Sequence, residues 1–193
     1  MPTTTPAMFT FPLGDDAVLI PRTPAITEAF HELLVANHDR LIRWNRMDPA
    51  PPVLEDTRSK LELTGKAWLE GTQLPVVIAV PQQRGWRLVG ASALRLNDHG
   101  HSGEIGYWID ADFEGQGLVT RTVSALLDHG FGPLGLHRIT LGTDAANRRS
   151  RALAHRLGFT QEGLLREANP TPDGRHDEVL YGLLSSEWNQ RRA

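Results

Sequence analysis

The chain has 193 residues, of which 40 % are hydrophobic and 22 % are charged, values close to those of ordinary globular proteins. This length predicts one domain with extensions, and the composition excludes disorder as the main state. Lys and Arg number 20 against 23 Asp and Glu, a net charge of −3 that makes nucleic acid and anionic membranes poor partners, and the absence of Cys excludes disulfides and thiolate chemistry.

The first third of the chain predicts a tail, one strand and two helices. Residues 1–12 contain Pro and Thr without apolar periodicity, which indicates a flexible tail before a single domain over residues 13–190. A β-type run covers residues 17–20, and Thr23 followed by Pro24 is typical of a helix start. A second helix is predicted over about 54–70. Both helices are expected to lie at the periphery of the fold.

The remainder alternates between strand and helix patterns. One parallel crossover is predicted, because a strand, a glycine loop, an amphipathic helix and another strand follow one another within about 35 residues. The fold class is therefore α/β, with a central mixed and mostly antiparallel sheet flanked by helices. The predicted strands cover 76–80, 86–96, 103–110, 137–142, a stretch from Phe159 onward and 178–184, and the predicted helices begin at Leu118 and at Asn147.

A glycine loop, Glu114-Gly-Gln-Gly-Leu118, lies between the strand at 103–110 and the next helix. Unpaired N–H groups and the helix dipole make such a position a site for anions, of which phosphate is the common one. The loop is neither a Walker loop nor a dinucleotide fingerprint, because no Gly-Lys-Ser/Thr follows and a third glycine is missing. Taken alone, two glycines before a helix are more often an ordinary connection than a phosphate site.

Several motifs follow one another in order through the second half of the chain. They are Glu104-Ile-Gly-Tyr-Trp-Ile-Asp110, the glycine loop, Asn147-Arg-Arg-Ser150 leading to Leu157-Gly-Phe159, Glu162-Gly163, and His176-Asp177 ahead of Tyr181. In this order and spacing they resemble the GNAT superfamily of acetyl-CoA-dependent N-acetyltransferases, and within it the RimJ/RimL-type branch. The resemblance covers roughly residues 86–184 and fits the earlier part more loosely.

The resemblance implies a coenzyme A site. Backbone amides of the loop would cradle the pyrophosphate, and Glu114 and Val119 depart from the family pattern, so the Glu114 side chain is expected to face away. Arg148, Arg149 and Arg151 either meet the 3′-phosphate end or form a solvated face. The coenzyme-binding residues implied are Trp108 and Ile109 on the strand, Gly115, Gln116, Gly117, Leu118, Val119 and Thr120 in the loop, and Asn147 and Ser150 on the following helix.

The same resemblance assigns catalytic roles. Glu104 would take the proton of the acceptor amine, Ser150 would assist the departing thiolate, and Trp44 would shape the acceptor site. The alternatives are that Glu104 is an exposed carboxylate, that Ser150 is a polar helix residue and that Trp44 is a packing aromatic. Relatives carry an acid where Asn169 stands, which leaves Glu167 or water as the fallback base. Ala154 occupies the position at which other branches carry a tyrosine acid.

The function implied is acetyl transfer from acetyl-CoA to a primary amine by direct attack in a ternary complex. The acceptor is a protein N-terminal amine of the ribosomal-protein type or a small amine such as an antibiotic, and the alternative is a catalytically degenerate coenzyme-A-binding sensor or scaffold. No metal is expected, since Asp98, His99 and His101 lack a further placed ligand. Without a signal pattern or a long apolar run the protein is expected in the cytoplasm, and a homodimer is left open.

Overall fold

The structure is a computed structural model that describes residues 10–45, 47–83, 85–97, 101–171 and 173–192. Within these residues one sheet has the strand order β1-β2-β3-β4-β5-β6-β8-β7. The strands are β1 (Phe11–Pro12), β2 (Val18–Pro21), β3 (Gln73–Pro81), β4 (Trp86–Leu96), β5 (Ser102–Ile109), β6 (Arg138–Asp144), β7 (Thr160–Thr171) and β8 (Gly174–Leu184). The helices are α1 (Thr27–Ala36), α2 (His38–Asn45), α3 (Leu54–Leu69), α4 (Leu118–Phe131), α5 (Arg148–Leu157) and α6 (Ser185–Arg192).

The sheet is mixed, as predicted. Strands β5 and β6 pair in parallel, whereas the other neighbouring strands pair antiparallel. Helix α4 connects β5 to β6, so the predicted crossover is confirmed. Its apolar positions recur at helical spacing, which gives α4 a continuous face toward the sheet.

Helices cover both faces of the sheet. On one face, Val123 and Leu127 of α4, Leu153 of α5 and Trp188 of α6 pack with the strands into one core. On the other face, Phe30 and Leu33 of α1 and Leu61 of α3 pack against β2, β3 and β4. The two helices predicted in the first third of the chain, α1 and α3, were expected at the periphery, and this was wrong, because their buried apolar side chains cover the second face.

A gap opens between β5 and β6. Their parallel register runs from Ser102 with Arg138 to Glu104 with Thr140, although both strands continue. The Asp110 N–H donates to the Val89 carbonyl of β4 at 2.8 Å, so alternation along the strand turns the N–H of Ile109 away from β4 and into the gap. The gap therefore exposes strand backbone in the middle of the sheet.

Two other elements differ from expectation. Phe11 and Pro12, assigned to the tail, pair with β2 because a tight turn brings the Leu13 N–H to the Ala17 carbonyl at 2.9 Å, while residues 1–9 lie outside the described residues. Helix α6 was missed, and Glu187 fixes its start by accepting the Leu184 N–H at 2.9 Å.

Among the described residues, no helix is both long enough and apolar enough to span a membrane.

Candidate active site

A cavity of about 980 Å³ occupies the gap between β5 and β6. Its walls come from β5, the glycine loop, the start of α4, the end of β6, α5 and α2. The Gln116 side chain turns back to donate to the Asp112 carbonyl at 3.1 Å, so the backbone of Gln116 is what stays predicted to contact the coenzyme. The other predicted site residues line the cavity: Trp44, Glu104, Trp108, Ile109, Gly115, Gly117, Leu118, Val119, Thr120, Asn147 and Ser150.

The glycine loop opens into this cavity at the N-terminus of α4. Gly115 and Gly117 both have a φ of 75°, a left-handed conformation that favours glycine. A Cβ at either position would meet no atom within 4 Å, so both glycines face open space rather than packed protein. The helix start therefore offers unpaired N–H groups to a ligand that approaches the backbone closely.

Glu114 does not face away, which corrects the expectation. Its side chain is 20 % exposed and forms ion pairs with Arg40 of α2 and Arg149 of α5. Two guanidinium groups therefore more than balance the carboxylate at the edge of the loop. Sequence reasoning missed Arg40, which lies 74 residues before Glu114 and carries no local signal.

The start of α5 places Ser150 in the cavity. Asn147 caps the helix, and its Oδ1 accepts the Ser150 N–H at 3.1 Å. The Ser150 Oγ lies 2.8 Å from the Oη of Tyr107 on β5. Burial raises the pKa of Tyr107 to about 12. Arg151 turns away from the cavity, since its guanidinium donates to Tyr181 Oη at 3.2 Å and to the Ala145 carbonyl at 3.2 Å.

The opposite end of the cavity holds acidic side chains. Glu104 lies on the face of β5 opposite Tyr107 and forms a 3.0 Å ion pair with Arg95 of β4. Glu178 of β8 covers Gly142, where a Cβ would lie 2.6 Å from the Glu178 Oε1. Trp44 also lines the cavity, with the Arg43 guanidinium 4.9 Å from its ring centroid. A cationic amine therefore meets carboxylates at this end.

A buried polar network that sequence reasoning missed lies beside these carboxylates. The side chain of Asp144 is fully buried and its Oδ2 accepts from Asn169 Nδ2 at 2.7 Å, with His176 Nδ1 at 2.8 Å from the same oxygen. Asn169 thus stands in the cavity wall, held by a carboxylate from a different strand. Glu167 is exposed on a bulge of β7, where its φ is 54° and its N–H donates to Asp177.

The part of the chain that the structure describes contains no cluster of three metal-ligating side chains. Asp98 and His99 lie outside the described residues. The cavity therefore joins a helix start with open N–H groups, an exposed strand backbone and an acidic opening. Such a passage suits a ligand with a phosphate at one end and a carbonyl in the middle, approached by an amine from the other side.

Comparisons with known proteins agree with this geometry. A family model described as an acetyltransferase (GNAT) domain matches residues 18–160. The chain is 29 % identical over 185 residues to the "Putative ribosomal N-acetyltransferase YdaF" of Bacillus subtilis (strain 168), a match that covers 94 % of this chain and 98 % of that protein. It is 33 % identical over 90 residues to the "Ribosomal-protein-serine acetyltransferase" of Escherichia coli (strain K12), covering 47 % of this chain and 50 % of that protein.

The fold also matches a solved structure. RimL, described as a ribosomal L7/L12 alpha-N-protein acetyltransferase in complex with coenzyme A, matches with a TM-score of 0.82 at 23 % sequence identity. The match covers 91 % of this chain and 98 % of that chain. The likeness confirms the predicted fold class over nearly the whole molecule.

Proposed function

Because the chain belongs to the GNAT family of acetyltransferases, we propose that it moves acetyl from acetyl-CoA to the α-amine of a protein N-terminus, of the ribosomal-protein type. The observation that carries this proposal is the continuous cavity from the glycine loop to the acidic opening. The names of two relatives support the acceptor class, since one is called a putative ribosomal N-acetyltransferase and the other a ribosomal-protein-serine acetyltransferase. The complex of RimL with coenzyme A supports the donor.

In this proposal the coenzyme lies along the gap in the sheet. The backbone of 115–120 holds the pyrophosphate, and Arg149 and Arg40 add positive charge beside it. The pantetheine arm pairs with the free backbone of β5 near Trp108 and Ile109, as an added strand would. Asn147 bonds the arm from the other side. This places the thioester carbonyl at the Ile109 N–H.

The reaction is a direct transfer in a ternary complex. Glu104 takes a proton from the acceptor ammonium, directly or through water, and the neutral nitrogen then attacks the thioester carbon. The Ile109 N–H stabilises the oxyanion of the tetrahedral intermediate. As the C–S bond breaks, its electron pair goes to sulfur and Ser150 donates a hydrogen bond to that atom. The nitrogen releases its second proton to solvent, which leaves the neutral amide. Trp44 shapes the opening of the cavity, through which the rest of the acceptor chain extends into solvent.

A second candidate is a coenzyme-binding sensor or scaffold without turnover. Glu114, Val119 and Asn169 favour this candidate, because they depart from the residues that the family pattern has at these positions. The Asp144 carboxylate behind Asn169 and the arginines around Glu114 weaken it, since they restore charge that the substitutions remove. Small amines, antibiotics among them, stay alternative acceptors. The cytoplasmic location, the single domain over 13–190 and a homodimer stay predictions.

The test is a thiol-release assay with acetyl-CoA and a matched pair of peptides. Both peptides begin with Ser and contain one internal Lys, and one of them carries a formylated N-terminus. The free peptide is expected to release coenzyme A thiol and gain one acetyl group at its α-amine by mass spectrometry. Equal turnover of both peptides would contradict the α-amine assignment. Binding of acetyl-CoA without thiol release from either peptide, from spermidine or from an aminoglycoside would favour the sensor.

A further inference from the structure

Tyr107 is a cavity residue for which the proposed reaction has no role so far. It lies on β5, three residues from Glu104, and its side chain points to the opposite face of the sheet, toward α5. Its Oη is 2.8 Å from the Oγ of Ser150, and both residues line the cavity. The only other tyrosine of the chain, Tyr181, is fully buried and accepts from Arg151 at 3.2 Å.

The Ser150 hydroxyl has one hydrogen, and its direction decides what the residue does. The Asn147 cap holds the Ser150 backbone in place, but a hydroxyl still rotates about its C–O bond. If Ser150 donates to Tyr107, its hydrogen is turned away from a departing sulfur. If Tyr107 donates to Ser150, the hydrogen of Ser150 is left for the cavity.

The pKa values of the Tyr107 phenol and of the leaving thiol decide whether Tyr107 gives up its proton as an acid or only donates a hydrogen bond. The pKa of Tyr107 is about 12, whereas an alkyl thiol such as that of Cys has a pKa of about 8.5. A thiolate leaving group is therefore too weak a base to take the proton of this phenol. Tyr107 therefore keeps its hydrogen during the reaction and acts as a hydrogen-bond donor.

We propose that Tyr107 is a positioning residue that donates a hydrogen bond to Ser150 Oγ and so fixes the Ser150 hydrogen toward the sulfur of the leaving coenzyme A. This inference rests on the proposed acetyl transfer. The C–S bond breaks, its electron pair stays on sulfur, and the Ser150 O–H donates to the resulting thiolate. No proton leaves Tyr107, and the thiolate takes its proton from solvent after release.

The kinetic test uses Tyr107→Phe, which keeps the ring and removes the hydroxyl, together with Ser150→Ala. Ser150→Ala is expected to lower kcat about 10- to 100-fold, the worth of a hydrogen bond to a charged group, and Tyr107→Phe about tenfold or less. Neither is expected to change KM for acetyl-CoA more than about twofold, because the interaction exists only in the transition state. The double variant should match Ser150→Ala, since Tyr107 acts only through Ser150.

A binding test needs no turnover. At pH 8.5 the parent is expected to bind coenzyme A about fivefold or more tightly than desulfo-coenzyme A, which lacks the sulfur, because Ser150 donates to the thiolate. The ratio should fall to about 1 in both Ser150→Ala and Tyr107→Phe. Tyr181→Phe is the matched control: it removes a buried phenol oxygen that contacts Arg151 instead of Ser150, and it should keep the parent ratio.

The outcomes distinguish a failure of the proposed acetyl transfer from a failure of the role assigned to Tyr107. Binding of neither ligand by the parent would overturn the proposed function and this assignment with it. Thiol release by a parent whose Tyr107→Phe variant has unchanged kcat and an unchanged ligand ratio would overturn the role of Tyr107 alone. A higher kcat in Tyr107→Phe would show that Ser150 donates to the phenol in the parent, which also overturns it.

Discussion

Glu104 is the residue at which the proposed chemistry meets the acceptor. Its carboxylate lies at the acidic end of the cavity and pairs with Arg95 at 3.0 Å. An ammonium ion that enters must share or displace that guanidinium partner before it can give up a proton. The ion pair therefore orients the Glu104 carboxylate, and the acceptor ammonium must compete with the Arg95 charge.

Glu104→Gln is expected to lower kcat at pH 7 by about 10²–10⁴-fold, because a positioned general base contributes that much. The loss should shrink as the pH rises to 9, since solution then supplies neutral amine. It should be smaller for an α-amine, with a reference pKa of about 7.7–8.0, than for a Lys side chain near 10.4. Rates are measured by thiol release from pH 6 to 9, with the exposed Glu62→Gln as control. Parent-like rates across this range would place the base elsewhere.

Local signals predicted one part of the site and could not predict another. The glycine loop and the Asn147 cap follow from backbone requirements of a helix start, which a short stretch of sequence displays. The pairing of Glu114 with Arg40 and Arg149 joins three separate elements, so only the assembled fold reveals it. The same holds for Asp144, which meets Asn169 and His176 from a different strand pair.

A glycine in strand β8 allows an ion pair to form between the strands on either side of it, β6 and β7. Arg138 of β6 and Glu162 of β7 form an ion pair across β8, with Nη1 to Oε1 at 2.6 Å. The pair passes over Gly182, where a Cβ would lie 2.5 Å from both of these atoms. Glu162 belongs to the Glu162-Gly163 motif, whose role the sequence leaves open. In the structure that role is to tie the β7–β8 hairpin to β6.

This ion pair predicts a pH-dependent contribution to stability. Arg138 holds the pKa of Glu162 below its ordinary value of 4.5, so the contribution is present above that pH and is lost as the pH falls through the lowered value. Glu162→Gln should lower the free energy of unfolding by less than about 1 kcal/mol at pH 7, because the pair is partly exposed. The difference from the parent should vanish near pH 2 in urea unfolding.

A matched background tests the geometry behind this prediction. In Gly182→Ala the new methyl group displaces the ion pair, so Glu162→Gln should then change the stability little at any pH. Gly163→Ala is the control background, since its Cβ would meet only Leu180 atoms at 3.9–4.0 Å and should leave the effect of Glu162→Gln intact. An equal effect of Glu162→Gln in all three backgrounds would show that the carboxylate stabilises the fold by another contact.

At the scale of elements, the strongest sequence patterns were correct. Strand β4 has its predicted bounds and helix α5 begins within one residue of its predicted start, because alternation marks the strand and an Asn cap marks the helix. The layering of α1 and α3 was not predictable, since two buried apolar residues in α1 (Phe30 and Leu33) and one in α3 (Leu61) do not say which surface buries them. Helix α6 was missed because it is short and mostly polar, with Trp188 as its buried residue.

The whole molecule consists of two half-sheets that share a narrow junction. Strands β1–β5 form one half and β6, β8 and β7 the other, and the described register between them covers three residue pairs. Helix α4 and its packing on both halves hold the remainder together. A coenzyme in the gap would bind the free edge of β5 and the start of α5, and would therefore bridge the two halves.

Acetyl-CoA is accordingly expected to stabilise the fold and to protect the gap. At a concentration of about 100 times Kd the ligand should add about 2.7 kcal/mol to the free energy of unfolding. Hydrogen exchange should slow in peptides covering 105–110 and 145–150, while peptides from β3 stay unchanged. Gly117→Asp should abolish both effects, because a carboxylate enters the phosphate cradle. Gly71→Asp has a similar φ of 69° and open surroundings but lies between α3 and β3, so it should keep both. Stabilisation without protection of these two peptides, or a parent-like response of Gly117→Asp, would place the coenzyme outside the gap.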